Sequence, residues 1–262
     1  MTARVLLTSV AALCLFHGSS WAVQYDALAL YLDFEEGAGD TAMDASKHGN
    51  NGTLHMAEWA DGKYGKAISL SGAAGGWVEV PDAPSLDIAD EITLMAWVYP
   101  TAFNLEWQRI VNKCWAGDTW PWMSYGFYEM AGTDGRLGFT IAVDNGQERL
   151  CRNGETPQLP SNEWSHIAAT YDGSDMRLYQ DGEEVLSVAT TGTITANDVP
   201  VAIGRNSEGN REHFHGSIDE VGIWSVALTP DEIMTAMAGD ILLSVEPAGK
   251  LAVQWADLRS QR

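Results

Sequence analysis

Three tryptophans stand within eight residues, at Trp115, Trp120 and Trp122, in the stretch Cys114-Trp115-Ala116-Gly117-Asp118-Thr119-Trp120-Pro121-Trp122. Gly117 and Pro121 mark this stretch as a connection between strands. Loops run over surfaces, and three indoles on one loop are hard to bury together. An indole face stacks on the C–H face of a sugar while nearby polar groups take the hydroxyls; the same amphipathic surface suits a protein contact. Asp118, Asn104, Asn145 and Glu148 are the candidate polar partners. Trp115, Trp120, Trp122 and Asp118 are therefore the expected ligand-binding residues. The alternative is a loop that folds back to plug one end of the fold.

Catalytic chemistry is harder to place. A retaining glycosidase needs two carboxylates on one face of a strand, as a Glu-x-Asp-x-Glu spacing provides. No Glu in this chain has an Asp two residues later. Glu35-Glu36 and Glu183-Glu184 are adjacent pairs, which a strand would point to opposite faces. There is no Gly-x-Ser-x-Gly elbow and no His-Glu-x-x-His helix. No catalytic residue is expected. His213-Phe214-His215 offers two imidazoles on one side of a strand, for a transition metal or as part of a polar edge.

The first 22 residues read as an address. Arg4 supplies a positive start, Val5–Phe16 is an apolar run, and Ser20-Trp21-Ala22 places small residues at −3 and −1 of a cleavage site. This is the pattern of a secretory signal peptide, with a run too short to span a bilayer. Leu13 before Cys14 is too bulky for the usual lipoprotein signal. The expected location is secreted, periplasmic or at the cell surface. Removing Met1–Ala22 leaves Cys114 and Cys151, and two thiols in an exported chain suggest one disulfide, the alternative being two separate buried thiols.

The elements that must position these groups are strands. The chain has 262 residues, 45% hydrophobic and 19% charged, enough for a self-sustaining core and unlike a coiled coil, a collagen rod or a disordered tail. The net charge of −21 repels phosphate backbones and anionic membranes, so the expected partners exclude nucleic acid. Short runs rich in Val, Ile, Leu, Tyr and Trp recur at Ala27–Asp33, Lys66–Leu70, Gly76–Val80, Ile92–Tyr99, Arg109–Lys113, Ser124–Met130 and Arg136–Val143. They continue at Arg149–Arg152, Trp164–Tyr171, Arg177–Gln180, Glu184–Val188, Val201–Arg205 and Phe214–Val226. Asp134-Gly135, Asp172-Gly173 and Asp181-Gly182 suit the positive φ of tight hairpins. This is the pattern of an all-β antiparallel sandwich. Thr229-Pro230-Asp231-Glu232 predicts one capped helix stopped by Gly239. The expected organisation is a signal peptide at 1–22, one domain at 23–238 and a tail at 239–262.

An ordered set of segments resembles the laminin-G-like jellyroll family, within the concanavalin A-like lectin/glucanase superfamily. It runs from Tyr31-Leu32-Asp33-Phe34-Glu35-Glu36-Gly37 and Asp44–Leu54 through Gly65–Gly72, Val78–Pro81 and Ile92–Val98. Glu163–Gly173 and Gly216–Trp224 complete it. The family often has Asp where Ser71 precedes Gly72 here, so a metal ligand expected at that place is missing. The resemblance implies a jellyroll with a structural Ca²⁺ held by Asp33, the Asn51-Gly52 loop and Asp219. It also implies a secreted, non-catalytic recognition module for an extracellular glycan or a cell-surface protein. An acid inside an apolar strand is costly unless paired, which is the residue-level reason to ask what Asp33 and Asp219 meet.

Overall fold

The structure, a computed structural model, describes residues 23–239 and 241, apart from 72–75, 104–106, 115–119, 121, 130–134, 153 and 155. The predicted signal peptide, Trp115, Asp118, Asn104 and almost all of the tail lie outside the described residues.

Sixteen strands follow one another. The first eight are β1 (Leu28–Leu32), β2 (Thr41–Ala42), β3 (Gly52–His55), β4 (Glu58–Asp61), β5 (Lys66–Ser71), β6 (Trp77–Val80), β7 (Ile92–Pro100) and β8 (Arg109–Cys114). Next come β9 (Met123–Glu129), β10 (Leu137–Val143), β11 (Gln147–Cys151), β12 (Ser165–Tyr171), β13 (Asp175–Gln180) and β14 (Glu183–Ala189). The last are β15 (Val201–Ile203) and β16 (His215–Trp224), followed by helix α1 (Pro230–Met237).

They form two antiparallel sheets. Sheet A runs β14-β13-β12-β7-β16-β5-β4, with β1 also paired to β16. Sheet B runs β11-β10-β9-β8-β15-β6-β3-β2. The expected sandwich is thus present, and period-two alternation decides which side chains enter it. Tyr125 and Phe127 of β9, Phe139 and Ile141 of β10 and Cys151 of β11 enter the core between the sheets, with Leu94, Ala96 and Val98 of β7 facing them. The turn between β13 and β14 is Asp181-Gly182, both with positive φ (51° and 84°), as its sequence predicts.

Helix α1 begins as expected. Thr229 accepts a hydrogen bond from the Glu232 backbone N–H, and the Glu232 carboxylate accepts from the Thr229 N–H, closing a capping box. Its Ile233 and Ala236 join Leu28, Tyr31, Met95, Tyr179 and Trp224 in a second apolar cluster. These residues alternate with the central core positions, so α1 covers the outer face of sheet A. It is the only α-helix among the described residues. No helix among them is long and apolar enough to cross a membrane.

The expected disulfide is not formed. Cys114 and Cys151 are both free, buried thiols. Cys114 ends β8 and Cys151 ends β11, with β9 and β10 between them. Three interstrand steps of about 4.8 Å put their backbones roughly 14 Å apart, beyond the ~7 Å that a bridge tolerates. The registers widen the gap: Cys151 is level with Phe139 and Phe127, whereas Cys114 pairs with Met123. The Cys114 thiol lies 2.7 Å from Asn112 Oδ1, while Cys151 points into the core towards the Met176 carbonyl. Burial raises the Cys114 thiol pKa and pushes Cys151 up to about 12, so both are inert thiols.

Candidate functional site

The outer face of sheet B carries a cleft of about 330 Å³. Its position follows from alternation. With Tyr125, Phe127, Phe139 and Cys151 turned inward, Tyr128, Thr140, Glu148, Leu150 and Arg152 turn outward. Two glycines make the floor. A Cβ on Gly138 would sit 2.6 Å from the Tyr128 ring, and one on Gly126 would sit 2.4 Å from Met123 Sδ. The ring and the thioether therefore lie flat on the sheet where side chains would otherwise stand. The Tyr128 hydroxyl is 3.0 Å from Thr140 Oγ1.

Aromatic and charged groups build the walls. Trp107 meets Tyr128 edge-on with centroids 5.7 Å apart. The Arg152 guanidinium lies 4.7 Å over Trp107, and that of Arg109 lies 5.1 Å over Tyr128. Arg109 Nε donates to Glu212 Oε2 at 2.8 Å, and Asn206 Nδ2 donates to the same oxygen at 2.9 Å. Glu148 Oε1 accepts the Trp122 backbone N–H at 2.8 Å, which pins the end of the Trp-bearing connection to β11. Arg211, Leu150 and Trp122 itself complete the lining.

The expected binding residues are thus only partly brought together. Trp122 lines the cleft and is 45% exposed; Trp120 is 60% exposed and is not among the lining residues. Trp115 and Asp118 lie outside the described residues. Asn145 sits with positive φ in the turn between β10 and β11, and does not line the cleft. Trp107, Tyr128, Arg109, Arg152 and Glu212 were not expected. The signal for Tyr128, Thr140 and Arg152 was present in the sequence as the outward half of each strand's alternation, interrupted by Gly126 and Gly138.

A second polar site lies at a seam in sheet A. β16 pairs with β7 along one side, but on the other side it changes neighbour. Residues 215–218 pair with β5 and residues 221–224 with β1. The strand bulges between Asp219 and Gly222, and Glu220 has φ 52°. Asp219 is fully buried there. Its Oδ2 accepts the backbone N–H groups of Lys63 (2.9 Å) and Tyr64 (3.1 Å). Glu220 Oε2 accepts the Tyr31 hydroxyl. Burial, reinforced by Glu220, pushes Asp219 up to about 7 against the opposing backbone N–H groups. Burial also pushes Glu220 up to about 7, with Asp33 and Glu35 adding repulsion. Asp33 is raised by burial and by Glu36 and Glu35.

Of the four expected calcium ligands, Asp33 and Asp219 belong to this seam. Asn51 and Gly52 are engaged otherwise. Asn51 Oδ1 accepts the Asp44 backbone N–H at 2.9 Å, and Gly52 pairs with Ala42, with the Val78 side chain where a Cβ would be. Asp44 organises that turn by accepting from the N–H groups of Tyr31, Ser46 and Asn50. Among the described residues no group of three or more His, Cys, Asp or Glu side chains is arranged to hold a metal ion. Asp33, Asp219 and Glu220 are all carboxyl oxygen donors, the type a hard cation takes, with Asp219 and Glu220 already accepting hydrogen bonds. His213 and His215 are lowered by burial.

Two antiparallel sheets packed face to face define the class as a jellyroll β-sandwich. The laminin-G model of the concanavalin A-like lectin/glucanases superfamily matches residues 71–234, and the chain belongs to that family. Pappalysin-1 of Mus musculus is 28% identical over 131 residues, which is 48% of this chain and 8% of that protein. Pappalysin-1 of Homo sapiens is 30% identical over 112 residues, 40% of this chain and 6% of that protein. The chain thus spans less than a tenth of the length of these curated relatives. Among solved structures, domain 4 of an extracellular arabinanase from Geobacillus stearothermophilus, in complex with arabinotriose, superposes with TM-score 0.62 and 21% identity, over 80% of this chain and 97% of that one. The ligand-binding domain of botulinum neurotoxin serotype D, in complex with N-acetylneuraminic acid, gives TM-score 0.64 and 18% identity, over 86% and 53%. At such identities the likeness is one of fold.

Proposed function

We propose that this chain is an exported, non-catalytic recognition module that binds a glycan in the sheet B cleft. The observation that carries this reading is the cleft itself, where Trp107 and Trp122 stand beside Glu148 and Arg152 over a floor of Tyr128 and Thr140. Aromatic faces take the apolar side of a pyranose or furanose ring, and the polar groups take its hydroxyls. Two proteins of similar fold were seen with saccharides, which supports the same ligand class. The sequence adds the apolar leader that implies export.

A structural Ca²⁺ belongs to this reading, at Asp33, Asp219 and Glu220. What supports it is the mutual repulsion of carboxylates buried at a strand seam, which a divalent cation would relieve. When bound, the ion supplies positive charge and fixes the meeting of β1, β5 and β16; the reading assigns it no contact with the glycan.

The test is a glycan array followed by titration calorimetry with the wild-type protein and Trp122→Ala. Saccharide binding that is weakened at least tenfold in Trp122→Ala supports the proposal. Absence of any saccharide signal, with capture of a cell-surface protein instead, favours the second reading, an adhesion or matrix-type module. The exposure of Trp120, two residues before the cleft-lining Trp122, is the observation that favours this alternative. Turnover of any polysaccharide by the purified chain refutes the non-catalytic assignment.

A further inference from the structure

We propose that the cleft selects glycans bearing an anionic group, a carboxylate or a sulfate ester, and that Arg152 is the residue that reads it. This rests on the glycan reading above and narrows it to a ligand class.

The charge of the cleft runs against that of the chain. The whole sequence carries 36 acidic residues against 15 basic ones. Among the described residues the cleft is lined by three arginines, Arg109, Arg152 and Arg211, and two acids, Glu148 and Glu212, and Arg109 and Glu212 pair with each other. In a protein whose field repels anions almost everywhere, a local excess of guanidinium marks the place where an anion is admitted.

The arginines are not equivalent. Arg109 is committed, with its Nε on Glu212 and its side chain almost wholly buried. Glu212 is committed in turn, to Arg109 and Asn206. Glu148 holds the Trp122 backbone. Arg152 differs from these. Its guanidinium stacks over the Trp107 indole, and among the described residues it has no carboxylate or hydrogen-bond partner. Its charge nevertheless reaches the cleft floor, where it acts on the Tyr128 hydroxyl. A stacked guanidinium loses water from one face and keeps planar N–H donors for a bidentate acceptor, which carboxylate and sulfate both supply. A neutral sugar would bury part of that cation with nothing to balance it. An anionic sugar stacked on the neighbouring aromatic rings would place its acid group against it.

The experiment uses the full chain and matched pairs of probes. The pairs are oligogalacturonides and their methyl esters, sulfated galactan oligosaccharides and their desulfated forms, and sialylated glycans and their asialo forms. Each is titrated by calorimetry into wild type, Arg152→Gln and Trp122→Ala. The expected result is that at least one anionic probe binds about tenfold or more tightly than its neutral partner. Arg152→Gln should abolish the preference, so that each anionic probe binds the variant no more tightly than its neutral partner does. The wild-type preference should also shrink as salt rises, a measurement that needs no variant. Which pair responds distinguishes carboxylate from sulfate. Equal binding of charged and neutral partners, an unchanged anionic affinity in Arg152→Gln, or a salt-independent preference overturns the inference and leaves the glycan reading standing. If wild type binds no saccharide of either charge, the glycan reading itself falls.

Discussion

Replacing Asp219 by Asn tests the electrostatics of the strand seam. Asp219 moves from an ordinary value of 3.8 in the unfolded chain to about 7 in the folded one. The fold therefore holds a proton on this group where the unfolded chain has released it. Its contribution is fully present below about pH 3.8 and is lost as pH rises through about 7. At pH 8 the loss amounts to on the order of 4 kcal/mol; at pH 6 the group is still mostly protonated and the loss is smaller by on the order of 1 kcal/mol. Asn keeps an oxygen to accept from Lys63 and Tyr64 but has no proton to lose. In chelator, the stability of Asp219→Asn relative to wild type should rise by on the order of 1 kcal/mol between pH 6 and pH 8. In the folded protein His166, which burial pushes down to about 3, lies outside this window, whereas Glu220, also raised to about 7, titrates within it in both proteins and sets the common background. The assay is urea denaturation of both proteins at half-unit pH steps in EDTA. A difference that stays flat, or that moves in favour of wild type as pH rises, refutes the reasoning.

Other outcomes follow from the same structure. At pH 8, millimolar Ca²⁺ should raise the melting temperature of the wild-type protein above its value in EDTA, by mass action on the native state; superimposable melting curves remove the ion from the seam. Gly138→Val should drive the Tyr128 ring from the cleft floor, costing about 1–3 kcal/mol and weakening saccharide binding; unaltered stability and binding would mean that the ring does not lie on the glycine. Thr229→Ala opens the capping box and should cost about 1 kcal/mol, read by chemical denaturation. A thiol titration of the denatured, unreduced chain should count Cys114 and Cys151 as thiols, while neither reacts quickly in the native state.

Most of the fold was legible because it is written in local alternation and turn chemistry. The Asp181-Gly182 hairpin and the Thr229 capping box need only neighbours a few residues away, and both stand where the sequence puts them. The short strands β2, β3 and β4 were not expected, since Thr41–Ala42 and Glu58–Asp61 carry no apolar run and exist through their partners. The disulfide failed for a related reason. Compartment and cysteine count say that two thiols are available, but whether they meet depends on strand order, and β9 and β10 intervene. The cleft was half legible. Trp122 drew attention by composition, while Tyr128 and Arg152 were read as members of core strands because their inward neighbours are apolar. Asp33 and Asp219 were singled out as costly acids in apolar segments, and the seam between β1 and β5 accounts for their company. Glu220, with its left-handed backbone, was not singled out.

The pairing of β1 with β16 also sets a timetable. Residues 28–32 have no sheet to join until residues 215–224 have been made, so the beginning of the domain waits for almost its end. A ribosome adding residues from the N-terminus, or a translocation pore passing them in that order, therefore handles a polypeptide whose sheet A is incomplete until β16 emerges. Truncation before His215 should yield an aggregation-prone chain with an orphaned first strand, not a smaller version of the same domain.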